Sequence, residues 1–182
     1  KWQNLTLEWK KKYPVYNDDQ SKKSKFINSF FFIKKLSKVL KTDSTIVTDM
    51  GTSFTCTMQA IEINDHTKQR LFTSSGLASM GFGLPGSIGA SFANPKKKII
   101  CITGDGGFMF NIQELQTIKH YKLPIKIFVL ENKGYLTMQL MQKKNFKKLT
   151  GSDPSSGVTI PKIKKIAKGF DFDYIKLKKE NI

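Results

Sequence analysis

Two nearly continuous apolar runs constrain the fold most strongly, because neither alternates as a half-exposed strand does. They are KKIICITGD, residues 97–105, and PIKIFVLEN, residues 124–132. Such runs are typical of strands buried on both faces of a sheet. The intervening NIQELQTIKHY has helical spacing, so the two strands are predicted to be parallel neighbours joined by a crossover helix.

Helical and strand patterns alternate along the rest of the chain. In KFINSFFFIKKLSKVL, an apolar stripe at helical spacing comprises Phe26, Phe30, Ile33, Leu36 and Leu40. Further helices are predicted at 55–63, from about Pro85, at 134–146 and at 162–170, and further strands at 44–49, 70–74 and 173–177. This alternation predicts an α/β fold with a mainly parallel sheet and helices on both faces.

The length of 182 residues suits one domain with a full core. Residues 1–23 are polar and rich in lysine, and they are interpreted as a linker; residues 24–182 form the predicted domain. The first residues include neither an initiator methionine nor the apolar segment of a signal peptide. We therefore expect the chain to be part of a longer protein.

The net charge of +17 raises the possibility of a nucleic-acid partner. The 31 basic residues are almost all lysines and are scattered along the chain, whereas recognition of phosphate favours arginine. No nucleic-acid-binding motif accompanies the charge. We therefore expect no nucleic-acid partner.

The lengths of the apolar runs and the contexts of the cysteines bear on the cellular location of the protein. No run approaches the roughly 20 apolar residues of a membrane span, so no membrane association is expected. Cys56 and Cys101 lie in apolar contexts without CxxC spacing. They are interpreted as reduced, buried thiols, which favours a cytoplasmic location.

Polar residues follow the two apolar strands at the edge where parallel α/β sheets bind ligands. Asp105, Gly106 and Gly107 follow the first strand, and Asn132 follows the second. Glycine N–H groups near a helix start can bind an anion such as a phosphate, but Asp105 would repel it. A divalent cation resolves this conflict, because Mg²⁺ binds carboxylate, amide and phosphate oxygens together. A backbone carbonyl just beyond Asn132, best placed at Gly134, would complete a site for Mg²⁺ and a diphosphate.

A simpler interpretation remains open for each motif. GDGG can be an ordinary turn, and an asparagine can cap a helix. Met80 alone would be assigned to core packing. The joint placement of GDG and Asn132 after successive apolar strands favours the metal site.

The segment GDGGFMFNIQELQTIKHYKLPIKIFVLENKGYLTMQ resembles the signature of thiamine-diphosphate-dependent enzymes, most closely the acetolactate synthase large subunits. SSGLASMGFGLPGSIGASFA is similar to the glycine-rich cofactor segment of the same family, and EWKKKYP is similar to the linker before its last domain. The resemblance covers most of residues 5–150. It implies the C-terminal, diphosphate-binding domain, with the N-terminal pyrimidine-binding and central domains outside this chain.

The resemblance implies a role for individual residues. Asp105 and Asn132 would be side-chain ligands of Mg²⁺, and Gly134 a carbonyl ligand. Met80 would wedge under the cofactor, with the backbone of Ala78 and Met80 at the aminopyrimidine edge. The complete expected cofactor-binding set is Gly51, Thr52, Ser53, Ala78, Met80, Gly104, Asp105, Gly106, Gly107, Asn132, Gly134, Tyr135 and Leu136.

Two departures from the family pattern bear on the reaction. Glu131 replaces the first asparagine of the usual pair, but the ligand position is Asn132. Thr52 and Ser53 replace a run containing Gln and His, and they are similar to the Gly-Thr-Ser run of thiamine-dependent 2-keto-acid decarboxylases. The resemblance therefore implies decarboxylation of a 2-keto acid, with pyruvate expected, followed by joining to a second carbonyl as in branched-chain amino acid biosynthesis. A decarboxylase or related lyase and a non-catalytic binding module remain alternatives.

The resemblance also implies partners. In the family, a glutamate from the N-terminal domain of another subunit assists activation of the cofactor. The chain alone is therefore expected to be inactive, and the functional unit to be a homodimer or homotetramer, with FAD possible in the full-length protein. An apolar surface beside the cofactor is expected to include Met80, Phe82, Leu84 and Met138.

Overall fold

A four-stranded parallel sheet forms the centre of the computed structural model, which describes residues 1–16, 24, 26–74 and 76–179. The strands are β1 (Thr45–Thr48), β2 (Arg70–Phe72), β3 (Ile99–Gly104) and β4 (Ile125–Leu130). Their order is β2-β1-β3-β4, and each pairing is parallel. The predicted α/β class and the adjacency of the two apolar strands are confirmed.

The helices that surround the sheet follow the predicted alternation. They are α1 (Trp2–Lys12), α2 (Ser29–Val39), α3 (Thr52–Ala60), α4 (Gly83–Ala93), α5 (Asp105–Phe110), α6 (Glu114–His120), α7 (Leu136–Phe146) and α8 (Ile163–Gly169). A short 3₁₀ turn, Pro154–Ser156, follows α7. Within the described residues, no helix is both long and apolar enough to cross a membrane.

Side chains from β3 enter two separate cores because successive residues of a strand point to opposite faces. Ile100 and Ile102 pack in one core with Ile33 of α2. Cys101 points the other way and packs in a second core with Leu84 of α4. The double burial of the strand explains why the IICI run has no polar alternation.

Helix α2 begins later than its apolar stripe. Asn28 caps the helix, because its Oδ1 accepts the backbone N–H groups of Phe30 and Phe31 at 2.9 and 3.2 Å. Phe26 therefore lies outside the helix and is exposed, whereas Ile33 and Leu36 enter the core.

The N-terminal region holds a helix that the sequence did not reveal. Residues 1–16 of the predicted linker include α1, whose Trp2 and Trp9 rings make an edge contact at 5.9 Å. Helix α1 buries none of its residues. Residues 17–23 of the predicted linker lie outside the described residues.

The strand predicted at 173–177 is wrong. Residues 172–178 form no strand, although three of their apolar side chains pack against the cores on the two faces of the sheet. Phe172 and Tyr174 pack against the core that contains Cys101, and Leu177 packs against the opposite core. The apolar residues of this segment thus pack against both cores of the sheet, but their backbone forms no hydrogen-bonded ladder with a neighbouring strand.

Cys56 and Cys101 are both buried, as predicted, and both are free thiols. Burial raises the pKa of the Cys101 thiol to about 12 and also raises the pKa of Cys56. Neither thiol should therefore be reactive in the native chain.

Native protein at pH 8 is expected to show no fast reaction with a thiol reagent such as DTNB, whereas both thiols should react after denaturation. The scarcity of thiolate alone should slow Cys101 on the order of 1,000-fold. Rapid native labelling of one thiol per chain would contradict the burial of that residue.

Candidate functional site

Asp105 is the first residue of α5 and is almost completely buried. Its Oδ1 accepts the N–H of Gly106 at 2.8 Å, and its Oδ2 accepts the N–H of Lys133 at 2.6 Å. Burial raises the pKa of the Asp105 carboxyl, and the N–H groups of Lys133 and Gly106 oppose this rise. The carboxylate thus joins the carboxyl ends of β3 and β4.

The two glycines after Asp105 allow neighbouring side chains to pack directly against the backbone of the turn. A Cβ on Gly106 would lie 2.6 Å from the ring of Tyr135, and a Cβ on Gly107 would lie 2.8 Å from Oδ2 of Asp49. Both glycines are buried in the first turn of α5. A side chain at either position would therefore displace Tyr135 or Asp49 from the backbone of this turn.

The loop after β4 reaches the beginning of α3. Nδ2 of Asn132 donates to Oγ1 of Thr52 at 3.1 Å. Gly51, just before α3, has φ +78°, and a Cβ there would lie 3.3 Å from Oγ1 of Thr137. Thr52, Asn132 and Asp105 are therefore brought to one edge of the sheet, although they are far apart in sequence.

Gly134 is held by the loop that follows α7. It is buried with φ +127°, and a Cβ there would overlap the backbone carbonyl of Ser152. The same carbonyl accepts the N–H of Tyr135 and Nε2 of Gln139, both at 2.9 Å. The carbonyl of Gly134 lies near Gly106, at 3.6 Å from the position of a Cβ on that residue.

Gly134→Ala should destabilise the chain by roughly 3 kcal/mol, because it combines an unfavourable φ with overlap against the Ser152 backbone. Gly169→Ala is a matched control, since nothing lies within 4 Å of its Cβ position. Urea denaturation measures both. Equal midpoints for the two variants would contradict the close packing of Gly134.

The glycine-rich segment forms the third part of the site. Ala78 has φ +52°, and its N–H donates to the Ser74 carbonyl at 3.0 Å, so its carbonyl alone remains for a ligand. Met80 is partly exposed, with 37% of its surface accessible. The next residue, Gly81, has φ +95°, and its carbonyl accepts Nδ2 of Asn111 at 2.9 Å.

Asn111, the first residue of NIQELQTIKHY, lies outside the helix predicted for that segment, because the helix begins only at Glu114. It lies between α5 and α6, and its side chain is committed to Gly81. This hydrogen bond thus fixes the glycine-rich segment against the end of α5.

Asp49 is a buried residue of the candidate site to which the sequence analysis gave no role. It follows β1, is 1% exposed and accepts the N–H groups of Gly81 and Gly83 at 2.9 and 3.3 Å. The available signal was a carboxylate directly after a strand in STIVTDMG, but the glycines that it binds are more than 30 residues away.

Two other expectations need adjustment. Ser53 was expected to bind the cofactor. Its hydroxyl is buried and donates to the Met50 carbonyl at 3.0 Å, so this hydrogen bond stabilises the loop between β1 and α3. The expected exposure of Leu84 is wrong: it is 2% exposed because the first turn of α4 packs into the core, and Phe82 is half-buried. Met138 is exposed, as predicted.

The donor set fits a magnesium–diphosphate group better than a metal bound by protein alone. No group of three or more His, Cys, Asp or Glu that could hold an ion occurs among the described residues. Asp105 supplies a carboxylate, Asn132 an amide and Gly134 a carbonyl. Mg²⁺ commonly takes only one or two carboxylates and obtains its other oxygens from phosphates and water.

The family model "Thiamine pyrophosphate enzyme, C-terminal TPP binding domain" matches residues 49–181. The match begins at Asp49 and includes the three segments that meet at the carboxyl edge of the sheet.

Curated relatives agree with this match. Acetolactate synthase isozyme 2 large subunit of Escherichia coli (strain K12) is 46% identical over 101 residues, which are 55% of this chain and 18% of that protein. Acetolactate synthase large subunit of Cyanidium caldarium is 38% identical over 72% of this chain and 21% of its own length. Acetolactate synthase 1, chloroplastic, of Zea mays is 32% identical over 99% of this chain and 28% of its own length. The chain thus spans about a fifth to just over a quarter of the length of these relatives.

Proposed function

This chain belongs to the thiamine pyrophosphate enzymes and matches their C-terminal TPP binding domain, and on that premise we propose that it binds the magnesium diphosphate end of thiamine diphosphate within an acetolactate synthase-like enzyme. That enzyme would decarboxylate a 2-keto acid, with pyruvate as the proposed substrate, and join the remaining fragment to a second carbonyl. Residues 1–23 would be a linker, and the pyrimidine-binding and central domains would lie outside these 182 residues.

One observation carries the proposal: a buried carboxylate stands among glycines at the point where two strand ends meet. Asp105 accepts the N–H of Lys133, and Gly106 and Gly107, which follow it, add no side chains of their own. A carboxylate can hold Mg²⁺, and a glycine-rich turn at a helix start can bind phosphate oxygens.

The residues of this chain would bind and orient the cofactor. Asp105, Asn132 and the Gly134 carbonyl would hold Mg²⁺, and the backbone of α5 would face the diphosphate. Met80 would support the cofactor from the glycine-rich segment. When bound, thiamine diphosphate supplies the electron sink for loss of CO₂.

Calorimetric titration of the chain with thiamine diphosphate tests this proposal directly. Binding should require Mg²⁺, should vanish with EDTA, and should not occur with thiamine, which lacks the diphosphate. Equal affinity for thiamine diphosphate with and without Mg²⁺ would overturn the proposed site.

A 2-keto-acid decarboxylase is the second candidate, favoured by Thr52 and Ser53 after Gly51. In the structure, Thr52 accepts from Asn132 and Ser53 donates to the Met50 carbonyl. Both hydroxyls thus make hydrogen bonds within the protein, and these contacts are compatible with either the decarboxylase or the synthase reaction. In a complete enzyme, release of free aldehyde from pyruvate supports the decarboxylase, and formation of acetolactate supports the synthase.

We also propose that the functional unit is at least a dimer. Exposed apolar side chains of the glycine-rich segment and of α7 support a partner surface: Met80 is 37%, Met138 44% and Met141 43% exposed. Sedimentation should show self-association of the chain at micromolar concentrations. A monomer that persists at millimolar concentration would contradict this assembly.

A further inference from the structure

A buried carboxylate, Asp49, connects three segments of the site. Its Oδ1 accepts the N–H groups of Met50 at 2.7 Å and Gly81 at 2.9 Å. Its Oδ2 accepts the N–H of Gly83 at 3.3 Å and the hydroxyl of Thr103 at 3.0 Å. One side chain therefore joins the ends of β1 and β3 to the glycine-rich segment.

The chemistry of this position requires a carboxylate. Two oxygens provide about four acceptor sites, and four donors occupy them. An asparagine would offer one oxygen, and its NH₂ group would face donors. A buried charge is costly unless such hydrogen bonds compensate it, so the four contacts explain how Asp49 is tolerated at 1% exposure.

Glycines allow the carboxylate to reach the backbone on both sides. A Cβ on Gly107 would lie 2.8 Å from Oδ2 of Asp49, and a Cβ on Gly83 would lie 3.2 Å from it. Asp49 therefore sets the spacing between the glycine-rich segment and α5.

We propose that Asp49 is a positioning residue for the cofactor, and this inference rests on the proposed function. It holds the N–H of Gly81 while Asn111 holds the carbonyl of the same residue. This double attachment fixes Met80, the preceding residue, at a set distance from Gly107. Asp49 would thus align the glycine-rich segment, which supports the cofactor, with α5, which faces the diphosphate. Asp49 itself would not contact the cofactor.

The test compares Asp49→Asn with the wild-type chain and with Ser37→Ala. Ser37 is a suitable control because its hydroxyl is fully buried, accepts the N–H of Glu62 at 3.0 Å and donates to the Ile33 carbonyl at 2.9 Å. It lies near the end of α2, away from the candidate site. Two measurements are made: amide hydrogen exchange at Gly81 by NMR, and calorimetric affinity for thiamine diphosphate with Mg²⁺.

In Asp49→Asn, exchange at Gly81 should accelerate by roughly 30-fold or more, because one amide oxygen cannot accept all four donors that the carboxylate accepts. The affinity for thiamine diphosphate should fall by roughly 10-fold or more, as for other residues that orient a site from behind. Ser37→Ala should lower the denaturation midpoint but alter the exchange and the affinity by less than about threefold.

Three results would overturn the inference. Unchanged exchange at Gly81 would show that Asp49 does not hold this amide. Faster exchange with unchanged affinity would show that the contact is structural and has no bearing on the cofactor. Absence of binding by the wild-type chain would overturn the proposed function and this inference with it, whatever the exchange at Gly81.

Discussion

Asp105→Asn should weaken Mg²⁺-dependent binding of thiamine diphosphate at least roughly 100-fold, to the point where calorimetry detects no binding. The substitution preserves the size of the side chain and one acceptor oxygen, but it removes the negative charge that would hold Mg²⁺. It also replaces one acceptor of the Gly106 and Lys133 N–H groups with an NH₂ group. Asp105→Ala removes both acceptors and should abolish binding as well.

The matched control for this prediction is Asp65→Asn. Asp65 is also a carboxylate that accepts local hydrogen bonds, from the N–H and hydroxyl of Thr67 at 2.8 and 2.6 Å. It lies in the connection that leads into the start of β2, at the opposite edge of the sheet from the site. Its substitution should leave cofactor affinity unchanged. If Asp105→Asn bound thiamine diphosphate with unaltered affinity, Asp105 would not be a ligand of the metal.

The two central strands were predictable because their burial on both faces leaves a continuous apolar run. The same run ends where the buried sheet ends, which placed Asp105 and Asn132 at the strand tips. Their approach to one another follows from the adjacency of parallel strands joined by one crossover. The structure adds the contact that joins them, from the Lys133 N–H to the Asp105 carboxylate.

The contacts that hold the loops of the site in place were not predictable, because they join residues that are distant in sequence. Asn111 donates to the carbonyl of Gly81, 30 positions earlier, and this contact accompanies the break between α5 and α6. Ser152 lies against Gly134 from beyond α7. Local propensity carries no information about either partner.

The error at residues 173–177 has a different origin. Alternating apolar residues report that side chains pack on both sides of an extended chain, and they do so here. A strand also needs backbone groups on its neighbour in register, which the alternation of side chains does not specify.

The chain on its own should release no CO₂ from pyruvate above background, even with thiamine diphosphate and Mg²⁺ present. We propose that a carboxylate outside these 182 residues assists activation of the cofactor. The two buried carboxylates at the site are committed to other partners. Asp49 accepts four hydrogen bonds, and Asp105 accepts the Gly106 and Lys133 N–H groups and would hold the metal.

Joining the chain, in cis or in trans, to the remaining domains of an acetolactate synthase-like large subunit should restore turnover, measured as CO₂ release and acetolactate formation. The same assembly carrying Asp105→Asn is the control and should stay inactive, because the supplied domains cannot replace the metal ligand. Turnover by the isolated chain that disappears in Asp105→Asn would contradict the divided site, since these 182 residues would then contain every group that the reaction requires.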